Sequence, residues 1–188
     1  MNVFSSPQPL PTPNVYEAVY DFIMMYALPL LNPDNIVIGW ENRFTLPPDT
    51  NDYAVMTLIA NTRRGTNVTE YDPQAETLKK LKLSIVDVQI DLCSDSESNA
   101  FNRANALATV ASDEIGTSFF EQYGISCLNA DDPKGLETVS SSNQFIYRYM
   151  LTLHLSYWSG VIVSVPYANT IKFNIENVDV HHPPSTSE

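Results

Sequence analysis

Near its C-terminal end the chain places Phe145, Tyr147, Tyr149, Leu151, Leu153, Leu155 and Tyr157 on every second position, with Arg148, Thr152, His154 and Ser156 between them. A period of two over this length predicts a strand with one apolar and one mostly polar face. A second long strand is predicted from Leu78 to Cys93, but its phase changes. Leu81, Leu83 and Ile85 lie on one parity, and Val86, Val88, Ile90 and Leu92 on the other. Such a change marks either a bulge or a strand that switches its buried face. Shorter β segments are read at Ile36–Trp40, Tyr53–Ile59, Val161–Val165 and Ile171–Val180.

Two stretches carry the helical period instead. Val15, Val19, Phe22, Ile23 and Tyr26 predict a first helix, with Thr12 as its cap, Pro13 in the first turn and Pro29 as its stop. Ala100, Ala104, Leu107, Ala111 and Ile115 predict a second over 96–115, capped by Ser94 or Ser96 and favoured by Glu97 in its first turn. Its alanine-rich face suits close packing on a sheet. Gly116 and Gly124 bracket a further short helical piece holding Phe119, Phe120 and Tyr123. Turns are expected at Pro47-Pro48-Asp49, at Asn129 to Pro133 and, as a tight connection, at Thr62 to Asn67.

The order of elements is helix, strands, helix, strands. It predicts an α+β fold, a mostly antiparallel β-sheet with two main helices packed on one face. The basic start of the long strand, with Lys79, Lys80 and Lys82, is expected to project as the arm of a β-hairpin. Prolines at 7, 9, 11 and 13 make residues 1–13 an extended N-terminal arm; residues 14–180 form a single domain and 181–188 a C-terminal tail. No internal repeat of solenoid period is visible.

Charge sharpens the picture. Charged residues are 17% of the 188, against about 25% in an average globular protein, and ten Tyr and eight Phe accompany them. The net charge is −12 and it is uneven. Residues 61–83 hold five bases and three acids, while residues 84–132 hold nine acids and one base. A nucleic-acid grip needs a basic face, and only Arg63, Arg64, Lys79, Lys80 and Lys82 could build one. A basic patch beside acidic ones also suits self-association, with opposite potentials meeting across copies. Cys93 and Cys127 match no metal or C-x-x-C spacing and read as free, buried thiols. The first residues lack the pattern of a signal peptide. The longest apolar run, Phe22 to Leu31, is broken by Pro29 and is far shorter than the roughly 20 residues a bilayer needs. A soluble protein made in the cytoplasm, with no membrane association, is the expectation.

Motifs for chemistry are missing. Neither phosphate-cradling glycine loops nor G-x-S-x-G or H-E-x-x-H occur. His154 reads as a sheet-surface residue. His181 and His182 are adjacent and lack a recognised ligand pattern. Asp131-Asp132-Pro133 reads as a turn or a cap. The expectation is therefore no enzyme, no catalytic residues, no metal and no cofactor. The candidate interface residues are Arg63, Arg64, Lys79, Lys80, Lys82, Trp40 and Trp158; for the two tryptophans core packing is an equal alternative.

Several segments carry a resemblance. They include Asp21-Phe22-Ile23, Asn35 to Arg43, Tyr53 to Thr57, Val88 to Cys93 and Tyr123-Gly124-Ile125 with Ala130 to Pro133. The most specific is Thr62-Arg63-Arg64-Gly65-Thr66-Asn67 followed by Glu70-Tyr71-Asp72. Over roughly residues 14–184 the chain resembles the phage neck terminator family of tailed bacteriophages. The resemblance implies a tail-terminator-like fold and a virion structural protein of the neck. It implies a homo-oligomeric, hexameric ring that caps the tail or joins it to the head connector, with tail-tube and connector proteins as partners and double-stranded DNA passing through without specific binding. The family is defined by assembly role, so it supplies no catalytic residues. A head–tail adaptor of the connector remains an alternative, and a DNA-binding module or an enzyme of unrecognised type are readings from other classes.

Overall fold

A computed structural model describes residues 6–39, 52–139 and 145–164. Trp40, the 47–49 turn, the β segment at 171–180, His181, His182 and the 181–188 tail lie outside the described residues.

The chain enters as a two-residue strand, β1 (Gln8–Pro9), and continues into helix α1 (Val15–Tyr26). The cap of α1 is Asn14 and not Thr12. Its side chain accepts a hydrogen bond from the Glu17 amide at 3.3 Å, which leaves Thr12 and Pro13 before the helix. After the helix stops at Tyr26, a short 3-10 turn leads to β2 (Ile36–Ile38). Two long strands follow, β3 (Tyr53–Asp72) and β4 (Thr77–Ser94). The turn between them is built by Asp72, whose carboxylate accepts from the amides of Gln74 and Ala75.

The expected connection at Thr62 to Asn67 is not a chain reversal. Those residues stay inside β3 as an irregularity, with the register to β4 shifting between Arg64 and Val68 and Gly65 at φ 77°. Glycine there absorbs the left-handed turn of a bulge without ending the strand. Strand β4 runs against its other neighbour without a break. Its change of phase is thus a switch of covered face. Ser84, Val86, Val88, Ile90 and Leu92 are buried on one side, while Leu81, Leu83 and Ile85 are half-buried on the other.

The helix expected over 96–115 ends earlier, as α2 (Glu97–Ala111), and the short helical piece expected between Gly116 and Gly124 begins earlier, as α3 (Glu114–Glu121). Asp113 ends the first by capping the second, its carboxylate taking the Glu114 amide at 2.6 Å, and Ile115 turns out exposed. Gly116 sits where α3 folds back on the end of α2: a Cβ there would lie 2.4 Å from the Val110 carbonyl oxygen. Strands β5 (Ser126–Ala130), β6 (Lys134–Val139) and β7 (Phe145–Ser164) complete the described chain. The strand expected at Val161–Val165 is, as far as Ser164, the continuation of β7.

The fold is α+β, with three helices among the described residues and a mostly antiparallel sheet. The sheet order is β1-β7-β4-β3-β2, and the β7 edge also takes β5 and β6. Only β2 is parallel to its neighbour. The core lies on one face. Met56, Ile90, Leu92, Leu151, Leu153 and Leu155 point from the sheet toward Phe22 and Ile23 of α1, Ala104 and Leu107 of α2 and Phe120 of α3. Fully burying each such large side chain contributes about 1.5–3 kcal/mol.

Candidate functional site

The core cluster takes nothing from β4 before Val86 and nothing from β7 beyond Leu155 except the partly buried Tyr157. Past that level the three strands β3, β4 and β7 run on together as an arm. From Ile85 to Thr77 it continues for eight residue steps, about 27 Å, and β3 residues 61–70 are exposed on it. Among the described residues no member of the core cluster lies on this arm, and β1 pairs with β7 along part of it, at Val161 and Ile162.

Register decides what each side of the arm shows. Arg63 lies opposite Ser84, on the side that faces the helices lower down, and so do Lys80 and Lys82. Arg64 lies opposite Leu83 and, with Lys79, faces the other way. The five bases therefore do not form one patch. On the helix side Arg63, Lys80 and Lys82 stand beside Val161. On the far side Lys79 sits across from Glu70, and Trp158, 51% exposed, stands next to Leu83. The Arg63 Nε donates to the Gly65 carbonyl at 3.1 Å, which holds that guanidinium against the bulge. Of the seven interface candidates, six are thus on this arm and Trp40 is outside the described residues.

A second polar group lies on the far face of the sheet body. His154 is bridged by two carboxylates: Asp87 at Nδ1 (2.7 Å) and Asp131 at Nε2 (3.2 Å). Burial works against the imidazolium, but hydrogen bonding to the two carboxylates outweighs it and raises the His154 pKa above the ordinary value. Next to it Arg148 pairs with Asp91 at 3.0 Å, and Gln89 donates to the same carboxylate. His154 is thus a sheet-surface residue tied down by ion pairs. The turn expected at Asn129 to Pro133 is not a chain reversal, since Asn129 and Ala130 belong to β5 and β6 continues along β7 from Lys134; the bond from Asp131 to His154 joins residues 23 positions apart and leaves no local signal.

Among the described residues the most buried charge is Arg103, 4% exposed. Its Nε donates to the Pro29 carbonyl at 2.7 Å and its two terminal nitrogens meet the Asp52 carboxylate at 3.2 and 3.4 Å. Burial pushes the Asp52 pKa up, yet the hydrogen bonds from Arg103 and Ser94 bring it below the usual range. Arg103 shares the helical spacing of Ala100, Ala104 and Leu107, so its inward position could have been read from the sequence.

A groove of about 1000 Å³ runs between α1 and α3, lined by Met24, Met25, Ile115 and Phe119 and edged by Asp21, Asp113 and Glu114. Tyr123 donates to Asp21 at 2.6 Å, and that hydrogen bond pushes the phenol up to about 12. Both cysteines are free and buried, and burial pushes the Cys127 thiol up to about 11. Among the described residues no group of three or more His, Cys, Asp and Glu side chains could hold a metal ion. No described helix is long and apolar enough to cross a membrane.

The family model described as phage neck terminator protein matches residues 14–183, almost the whole chain. No curated protein matches it.

Proposed function

The chain belongs to the phage neck terminator family, and on that premise we propose that it is a ring subunit that caps the head-proximal end of the tail and joins it to the head connector. It is a virion structural protein of the neck, assembled from several copies, with a hexamer as the expected ring. The observation that carries this reading is the uncovered arm. An extension of β3, β4 and β7 with exposed Trp158, Val68 and Val161 offers apolar surface to a neighbour, and a contact repeated head to tail makes a ring when its rotation closes. A net charge of −12 lets a DNA duplex pass without strong phosphate capture.

Particles made without the protein test the reading. Heads and tails that fail to join, or tails of uncontrolled length, are expected under negative stain; normal joined particles would overturn it. The DNA-binding alternative is weakened by the register, which splits the five bases between two faces. Binding of the isolated protein to duplex DNA with a steep salt dependence would revive it.

A further inference from the structure

We propose that the groove between α1 and α3 in one copy receives the lysine-bearing side of the arm of the next copy. The inference rests on the ring-subunit reading and adds which two surfaces meet.

The two surfaces complement each other in charge and in apolar content. The groove holds Asp21, Asp113 and Glu114 with no base among its lining residues, and its floor includes Met25 and Ile115, 56% and 53% exposed. On the arm, a smaller hollow of about 490 Å³ is lined by Lys80 and Lys82 together with Leu10 and Val161, and carries no acid. Among the described residues neither lysine has an ion-pair partner within its own copy. Opposite potentials set over matching apolar patches fix the register of an encounter and suppress wrong ones.

Topology keeps the two surfaces of one copy apart. The pairing of β4 with β7 runs unbroken from Ser94 to Thr77, so the arm is a stiff extension of the sheet and does not fold back over the helices. The lysine side of the arm faces the same way as the helix layer. A neighbour seated there by its own α1 and α3 continues that layer over the exposed strands. Each copy then offers one groove and one arm, the heterologous arrangement that generates a ring when its rotation closes.

The test uses whole particles. Lys80→Cys and Glu114→Cys are introduced together, both at exposed positions; native Cys93 and Cys127 are buried and do not compete. Oxidation is expected to give a ladder of covalent multimers ending at the ring number, which neither single variant gives. In parallel, Lys80→Glu or Glu114→Lys alone is expected to lower incorporation into particles roughly tenfold, and the two together to restore it. Rings present in the particles but without a ladder, or single reversals that assemble as the parent does, would overturn the contact and leave the ring reading standing. A single copy per particle would overturn the ring reading and this contact with it.

Discussion

Replacing Arg103 with methionine removes a guanidinium that joins three parts of the chain: helix α2, the Pro29 turn after α1 and Asp52 at the entry to β3. Methionine keeps most of the side-chain volume, so the change is one of charge and hydrogen bonding. Three bonds are lost. Each bond to a charged group is worth about 1.5–3 kcal/mol, and stranding a fully buried partner costs about 3–5 kcal/mol. Asp52 is 33% exposed and regains water, which places the loss at the lower end, about 2–3 kcal/mol. For a chain of this length each kcal/mol moves the midpoint by roughly 2–4 °C, so thermal unfolding followed by circular dichroism should show a drop of about 4–12 °C. Arg103→Lys retains the charge but not the fork, and should fall between the two. Acid supplies an independent check. Asp52 has a folded pKa below its ordinary value of 3.8, so its pairing stabilises the fold above that value and the contribution is lost as pH falls through the depressed one. The gap between parent and Arg103→Met should close over that range. A methionine variant melting within about 2 °C of the parent at neutral pH, less than 1 kcal/mol on this scale, would refute the account.

Phe22 is fully buried against Tyr26, Phe119 and Phe120, with ring centroids 4.9–5.5 Å away; Phe22→Ala should cost about 3–5 kcal/mol in urea unfolding, and a loss below about 1 kcal/mol would mean that this cluster does not hold α1 to α3. Gly116→Ala places a Cβ 2.4 Å from the Val110 carbonyl oxygen, a backbone atom that cannot swing aside, so it should destabilise by about 1–3 kcal/mol although alanine is the better helix former. His154 should titrate by NMR with a midpoint above 6.5, because its hydrogen bonds to Asp87 and Asp131 outweigh its burial. Its stabilising contribution is complete below the unfolded pKa and disappears as pH rises through the folded one; Asp131→Asn should lower the midpoint, and an unchanged midpoint would remove Asp131 as a partner.

What the sequence revealed depended on whether a feature repeats locally. The alternation from Phe145 to Tyr157 located β7, and the helical spacing of Val15 to Tyr26 located α1, because each pattern repeats within a few residues. Boundaries set by one side chain were missed. Asn14 displaced Thr12 as the cap, and Asp113 split α2 from α3 inside a run whose apolar spacing continued to Ile115. Gly65 was read as ending a strand because glycine with asparagine usually marks a reversal. Here β4 offers a partner on both sides of the bulge, and the ladder resumes at Val68. Long-range pairs such as Asp52 with Arg103 and Asp87 with His154 join residues 51 and 67 positions apart, where no local period can register them. The basic cluster was legible, and so was its division, because neighbouring residues of a strand face opposite ways; which of Arg63 and Arg64 faces the helices was not, since the one-residue register shift between Leu58 and Ala60 decides it.

That division bears on how the neck protein assembles. Had the five bases shared one face, the arm would offer a continuous strip for phosphates. Arg64 and Lys79 face the side where Glu70 lies, and only Arg63, Lys80 and Lys82 are on the helix side. Three charges among apolar side chains are enough to orient a protein neighbour but few for a duplex. Removing the bulge residues 65–67 would let β3 pair with β4 without its shift and change which side its distal residues present. If the lysine side meets a second copy, that deletion should weaken assembly while leaving the helix-covered core folded, because no residue of the core cluster lies on the arm beyond Val86 and Tyr157.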